Sequence, residues 1–131
     1  MIIGIGTDII EVSRIKDAIE KYGERFRNRI FTQTEQEYSE SFNQNKYLHY
    51  SARFAAKESF SKAIGTGLTD GFKFSEIGIK NEESGKPVVV LSGGLLEKWG
   101  HCEIQISLSH TQEYAVAYVV LSMNEEINQH K

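Results

Sequence analysis

This sequence predicts one α+β domain, an antiparallel sheet packed on a long helix, and three observations predict it. Apolar residues in the first half recur at the helical period, whereas those of the second half alternate at the period of a strand. Between the halves, from about Lys46 to Ile64, runs a stretch with a face of small residues. The chain shows no repeat, linker or low-complexity tract, and its 131 residues lie in the range of a single domain.

The elements follow in order. Residues 2–6 read as a short buried strand holding Gly4 and Gly6. Asp8-Ile9-Ile10-Glu11 has the form of a helix start, with Asp8 as N-cap and an acidic residue three positions on. Val12, Ile15, Ala18 and Ile19 then keep helical spacing until Gly23 ends the pattern. Thr32-Gln33-Thr34-Glu35 is a second capping box opening another helix. The long helix buries Leu48, Ala52, Ala55, Ala56, Phe60 and Ala63 and closes at Gly65-Thr66-Gly67. Strands are expected over Phe74–Ile79, Val88–Leu91, Ile104–Ser109 and Tyr114–Leu121, with a turn at Glu83–Pro87 and a short helix from Leu95 to Trp99. The domain is expected to span 1–122, with 123–131 a polar, fraying tail.

Composition narrows the function classes. The chain is 40% apolar and 25% charged, ordinary for a soluble protein. A single cysteine, Cys102, excludes an intrachain disulfide and fits a cytoplasmic setting. No apolar run reaches the roughly 20 residues of a membrane span, and the N-terminus lacks the basic region of a secretory signal. From Arg14 to Arg29 six basic residues stand against three acidic ones, which gives +3 there and leaves −6 elsewhere in a chain of net charge −3. Such a stripe on an acidic protein suits a specific acidic partner better than nucleic acid, and equally suits a solvated helix face.

Three clusters can carry chemistry. In Gly4-Ile5-Gly6-Thr7-Asp8 a carboxylate follows a buried strand and can enter a cleft on rigid support, although alone it reads first as an N-cap. The two glycines lack the third glycine of a dinucleotide fingerprint. Within Arg53–Lys62, the residues Glu58, Ser61, Lys62 and Gly65 share one helix face, and Glu58 with Lys62 alone would read as a surface ion pair. In Ser107-Leu108-Ser109-His110-Thr111 a strand ends in a hydroxyl-rich turn with one histidine, which can also simply cap local backbone. His49, His101 and His130 have no such setting, and no Ser-His-Asp set or paired His/Cys ligands are present. Two carboxylates, a lysine, a histidine and hydroxyls together suit Mg²⁺ and phosphate. Mg²⁺ takes one or two carboxylates and completes its shell with water and phosphate oxygens. Phosphoryl-type transfer needs positioning and charge neutralisation more than a covalent nucleophile.

GIGTDIIEVSRI, RFAAKESFSKAIGTG, GKP and SLSHT, in this order over roughly residues 1–122, resemble the holo-(acyl-carrier-protein) synthase family. Ser59 stands where the family pattern leads one to expect alanine. The resemblance implies the fold of a 4′-phosphopantetheinyl transferase. It also implies transfer of 4′-phosphopantetheine from coenzyme A to a serine of apo acyl carrier protein for fatty acid biosynthesis, releasing adenosine 3′,5′-bisphosphate. It implies Mg²⁺ on Asp8 and Glu58, and catalytic roles for Glu58, Lys62 and His110. Arg53, Lys62, Gly65, Pro87, Ser109, His110 and Thr111 would line the coenzyme A site. Arg14, Lys21, Arg25, Phe26 and Arg29 would receive the acidic helix of the carrier. In the implied reaction the carrier serine attacks the phosphorus bearing pantetheine, and a metal-linked water or Glu58 takes its proton. A homotrimer with sites between subunits is implied as well. Two rivals remain: a relative acting on peptide or polyketide synthetase carriers, usually a fused pair of such units, and a catalytically silent binding module.

Overall fold

A computed structural model describes residues 1–68 and 71–123. The expected tail therefore lies outside the described residues, except Met123, which ends the last strand. Strands β1 (Ile2–Glu11), β4 (Cys102–His110) and β5 (Tyr114–Met123) form an antiparallel sheet in the order β1-β5-β4. Strands β2 (Ile77–Asn81) and β3 (Pro87–Leu91) form a separate antiparallel hairpin. Helices α1 (Val12–Tyr22), α2 (Glu24–Ile30), α3 (Gln33–Glu40) and α4 (Lys46–Ala63) precede the hairpin, and α5 (Gly93–Trp99) follows it.

Helix α4 lies against one face of the three-stranded sheet. Ala115, Ala117, Val119 and Leu121 of β5 point to it and are buried. Their partners in register are Ile10, Asp8, Gly6 and Gly4 on β1, and His110, Leu108, Ile106 and Ile104 on β4. Successive side chains of a strand alternate faces, so Asp8 and His110 both belong to the side covered by α4. The two glycines exist for this packing. A Cβ on Gly6 would stand 1.8 Å from the Ser59 carbonyl oxygen, and one on Gly4 would stand 2.0 Å from that of Ala63. All six predicted small or apolar residues of the α4 face are buried. Ser59 is buried too, and its hydroxyl donates to the Ala117 carbonyl at 3.1 Å, tying helix to sheet where alanine would only fill space.

A buried ion pair braces the other side of α4. Lys57 and Glu35 are both fully buried, with Lys57 Nζ 2.7 Å from Glu35 Oε1. Lys57 also donates to the carbonyls of Ile30 (2.7 Å) and Phe74 (3.2 Å). Glu35 accepts from the backbone N–H of Thr32 and of Ile79, both at 2.8 Å. One charge pair thus joins α2, α3, α4 and the hairpin with its hydrogen-bonding capacity filled, the condition under which buried charge is tolerable. The capping box at Thr32 is as expected, but its Glu35 does more than cap.

Four expectations need correction. Asp8 is not an N-cap: the chain stays extended to Glu11, and α1 starts at Val12 without a side-chain cap. The Val12 N–H is satisfied instead by the Glu113 carbonyl of the β4–β5 turn, a distant partner that local pattern cannot supply. The strand expected from Phe74 begins at Ile77, because Phe74–Glu76 coils into one 3₁₀ turn. Helix α2, hidden in the charge-rich stretch after Gly23, has no counterpart among the expected elements. The first strand is not buried on both sides: Ile5 and Ile9 are 63% and 65% exposed on the face away from α4.

Candidate active site

Asp8 meets the long helix because Gly6, two residues earlier on the same face, lets α4 close onto β1. Lys62 Nζ is 3.2 Å from Asp8 Oδ1 and also donates to the Thr7 carbonyl at 3.0 Å. The Lys62 side chain is 52% exposed and that of Asp8 only 11%. The lysine therefore reaches across to β1 and is not simply half of a helical surface pair. Asp8 Oδ2 is buried and meets no fixed hydrogen-bond donor, the Glu58 carboxyl bonding to Asp8 only when it carries a proton. Glu58, half-buried alongside, has its carboxyl pushed up to about 7 by burial and then by the Asp8 carboxylate, with Lys62 and Arg14 opposing. Two carboxylates that repel each other, one with a buried oxygen that meets no fixed donor, form a site that stabilises a cation. Among the described residues no three His, Cys, Asp or Glu side chains gather around one point. A cation here would complete its shell with water and substrate oxygens, which suits Mg²⁺ better than a protein-caged metal.

Helix α4 ends just beyond Lys62, where two glycines take left-handed backbone. Gly65, at φ +88°, donates its N–H to the Lys62 carbonyl at 3.0 Å, and Gly67 donates to that of Ser61 at 3.0 Å. A left-handed residue at this point must be glycine or pay strain, which accounts for Gly65. Ser61 itself turns inward, buried, with its hydroxyl on the Glu58 carbonyl at 2.6 Å.

A second concavity, of about 340 Å³, gathers Arg53, Pro87 and His110 with Tyr38, His49 and Asn81. Arg53 is only 2% exposed, its guanidinium 4.4 Å from the centre of the Tyr38 ring. His49 stacks on Phe42 and lies 6.0 Å from His110, ring to ring; burial, then Arg53 and His110, lower its pKa to about 4, so it is neutral. Sequence reasoning passed over His49, Tyr38 and Asn81. The spacing of His49 four residues before Arg53 on one helix was the available signal.

The structure does not bring every expected residue into these sites. Ser109 pairs with Val116, one position out of phase with the α4-facing row, and so lies on the opposite face of the sheet from His110. The Thr111 hydroxyl closes the β4–β5 turn by accepting from the N–H of Glu113 (3.2 Å) and Tyr114 (3.1 Å). The carboxylate site and the second pocket also lie on opposite flanks of α4: Glu58 follows His49 by about two and a half helical turns. Arg14, Lys21, Arg25 and Arg29 are exposed on α1 and α2, whereas Phe26 is half-buried against the edge of Phe31. Arg14 is close enough to Glu58 to act on its charge, so the basic surface begins beside the carboxylate site.

Comparison with known proteins gives a consistent result. The family model of the 4′-phosphopantetheinyl transferase superfamily matches residues 4–119. The chain is 52% identical over 124 residues to the holo-[acyl-carrier-protein] synthase of Ruminiclostridium cellulolyticum, covering 92% of each protein. It is 44% identical to that of Protochlamydia amoebophila, covering 93% of this chain and 99% of the relative. Among solved structures, a holo-(acyl-carrier-protein) synthase from Bacillus anthracis in complex with CoA (3′,5′-ADP) superposes with a TM-score of 0.80 at 37% identity, covering 95% and 99% of the two chains. The holo-[acyl-carrier-protein] synthase of Neisseria meningitidis gives 0.82 at 36% identity, covering 93% and 99%. With a motif set, a fold and relatives that agree over nearly its whole length, this chain belongs to the holo-(acyl-carrier-protein) synthase family of the 4′-phosphopantetheinyl transferase superfamily.

Proposed function

We propose that this protein transfers 4′-phosphopantetheine from coenzyme A to a serine of apo acyl carrier protein for fatty acid biosynthesis, in the cytosol, as a Mg²⁺-dependent homotrimer. The observation that carries the reading is a buried Asp8 Oδ2 that meets no fixed donor, beside a Glu58 carboxyl raised to about 7, with Lys62 on the other Asp8 oxygen. Asp8 and Glu58 are the residues that would hold Mg²⁺, and a bound Mg²⁺ would neutralise charge on the donor's phosphates. Lys62, anchored to Asp8 and the Thr7 carbonyl, places a second positive charge at the same spot. Fixed cations of this kind stabilise the charge that develops as the pyrophosphate bond breaks, by several kcal/mol. Arg53 and His110 line the pocket that would take the nucleotide end of the donor, together with the Pro87 turn. Ser109 and Thr111 would contribute to that site only through backbone or a neighbouring subunit. Arg14, Lys21, Arg25 and Arg29 supply a positive surface for the acidic helix of the carrier, and Arg14 links that surface to Glu58.

A shared site is supported by two features of the single chain. Helix α4 separates the Asp8 flank from the His110 flank, so neither alone offers both halves. The sheet face away from α4 exposes Ile5, Ile9, Tyr114 and Tyr118 together, an apolar patch that a second copy would cover.

One experiment tests both levels. Purified protein should give a Mg²⁺-dependent mass gain on apo acyl carrier protein, and Asp8→Ala or Glu58→Ala should abolish it with the fold intact. Co-refolded Asp8→Ala and His110→Ala chains should then recover about a quarter of wild-type activity, by random assortment around a ring. Near-normal turnover of either carboxylate variant sinks the metal assignment. A well-mixed oligomer with no recovery sinks the shared site and leaves the transferase.

A further inference from the structure

Asn81 stands at the last position of β2, paired with Pro87 on β3. Its Oδ1 accepts a hydrogen bond from Arg53 Nη2 at 2.5 Å, and its Nδ2 donates to the Gly85 carbonyl at 3.1 Å. Only an amide in this orientation does both. The reverse orientation would set NH₂ against guanidinium, donor on donor, and carbonyl oxygen against carbonyl oxygen. The two groups it joins come from different elements, the interior of α4 and the turn of the hairpin. That turn has geometry of its own: Gly85 is at φ +91°, its N–H donates to the Glu82 carbonyl at 2.8 Å, and the Glu82 N–H donates to that of Lys86 at 2.9 Å. Arg53, Asn81, Gly85 and Pro87 all line the same pocket of about 340 Å³.

The other groups that hold Arg53 are neutral: the His49 carbonyl at 3.3 Å and the Tyr38 ring at 4.4 Å. Arg53 Nε is buried without a partner. The nearest carboxylate acting on Arg53 is Glu35, which is already taken by Lys57. The guanidinium thus has no carboxylate of its own in direct contact, which leaves it able to pair with an anion in the pocket. An acidic side chain in place of Asn81 would cancel it, and an aliphatic one would release it.

We infer that Asn81 is a positioning residue of the donor pocket, fixing the Arg53 guanidinium to the Gly85–Pro87 turn and so setting affinity for the phosphate-bearing nucleotide end of coenzyme A. This rests on the reading of that pocket given above. Asn81 acts through Arg53 and the turn and takes no part in the transfer step. Its loss therefore appears in donor binding and leaves the carrier and the chemical step alone.

The experiment is steady-state kinetics on Arg53→Ala, Asn81→Ala and Asn81→Asp, with each substrate varied in turn and thermal unfolding measured alongside. Losing a hydrogen bond to a charged group should raise the KM for coenzyme A about tenfold in Asn81→Ala, with kcat and the KM for the carrier within about twofold of wild type. Asn81→Asp, nearly isosteric but anionic and without the donor to the Gly85 carbonyl, should raise it at least as much, with kcat and the KM for the carrier again within about twofold of wild type. An unchanged coenzyme A KM in the Asn81 variants, with a raised one in Arg53→Ala, overturns the inference and leaves the pocket reading standing. An unchanged value in Arg53→Ala overturns the pocket reading itself. Asn81 variants in which Tm, kcat and both KM values deteriorate together show a merely structural residue and also overturn the inference. If Asn81→Ala does not fold, Asn81→Asp decides by the same criteria.

Discussion

Replacing Gly6 by alanine should damage stability and activity together, because one atom contact governs both. The added Cβ would lie 1.8 Å from the Ser59 carbonyl oxygen, 2.8 Å from its carbon and 2.9 Å from the Ala63 nitrogen. These are backbone atoms of α4, so no side chain can rotate away. Ordinary contact starts near 3.4 Å. The helix would therefore have to retreat from β1 by more than about 1 Å, given how little packed interiors yield. Overpacking alone costs about 1–3 kcal/mol. The retreat also breaks the buried bond from Ser59 to the Ala117 carbonyl, about 1–3 kcal/mol more once its acceptor is stranded. The sum, about 2–6 kcal/mol, is a large share of the 5–15 kcal/mol that holds a typical domain together. The same movement carries Glu58 and Lys62 away from Asp8, and a displacement of about 1 Å can cost about 100-fold in rate. Urea unfolding and transfer kinetics at a temperature where the variant is folded would measure both effects. A stability loss below about 1 kcal/mol with normal turnover would refute the close-approach argument.

Three further outcomes follow from other parts of the molecule. Lys57→Met leaves Glu35 buried and unpaired and should cost about 3–5 kcal/mol in urea unfolding, whereas a loss within error would mean that the pair does not brace the helices. Because burial and Asp8 raise the folded pKa of Glu58 from 4.5 to about 7, the native state holds this proton more tightly than the unfolded chain. Metal-free protein should then lose stability as pH rises from about 4.5 to about 7 and level off above, while Mg²⁺ binding strengthens over the same interval; Glu58→Gln should remove this slope in thermal melts at graded pH. Charge reversal at Arg14, Lys21 or Arg25 should raise the KM for the carrier and flatten its salt dependence, since exposed charges are screened over about 8–10 Å, and a rise in the coenzyme A KM instead would assign the stripe to the donor.

The helices were legible where periodicity and caps coincide. Thr32 with Glu35, and the small-residue face from Leu48 to Ala63, needed only local information. Asp8 was misplaced as a cap because the true start of α1 depends on the Glu113 carbonyl, a hundred residues away. A carboxylate beside two glycines still marks Asp8 as a candidate whatever the local structure. The reason for the glycines was not legible, because close approach to α4 is a tertiary fact. Lys57 offers a similar lesson. Beside Glu58 in sequence it reads as one more helix charge, yet it is fully buried and bonded to Glu35, and only the packing of α3 against α4 shows it. The basic stripe was legible as charge, but the helix α2 that carries half of it was not.

Strand β1 explains why assembly and chemistry would be linked in the proposed trimer. Its even-numbered residues, Gly4, Gly6, Asp8 and Ile10, face α4, and they include both the close-packing glycines and the carboxylate. On the other face Ile5 and Ile9 are exposed. Large apolar side chains grouped on an open sheet face mark an interaction surface. Within one chain α4 covers the first face, so a neighbouring copy is the natural cover for the second. The alternation that turns Asp8 toward α4 and the proposed metal site therefore also turns Ile9 toward the proposed interface. Ser109 belongs to this argument: it lies level with Ile9 across Val116, on the same outer face, and would reach a donor only where a neighbouring chain adds its own half of the site. Its position, which excludes it from the pocket of its own chain, is thus what a site built between subunits requires.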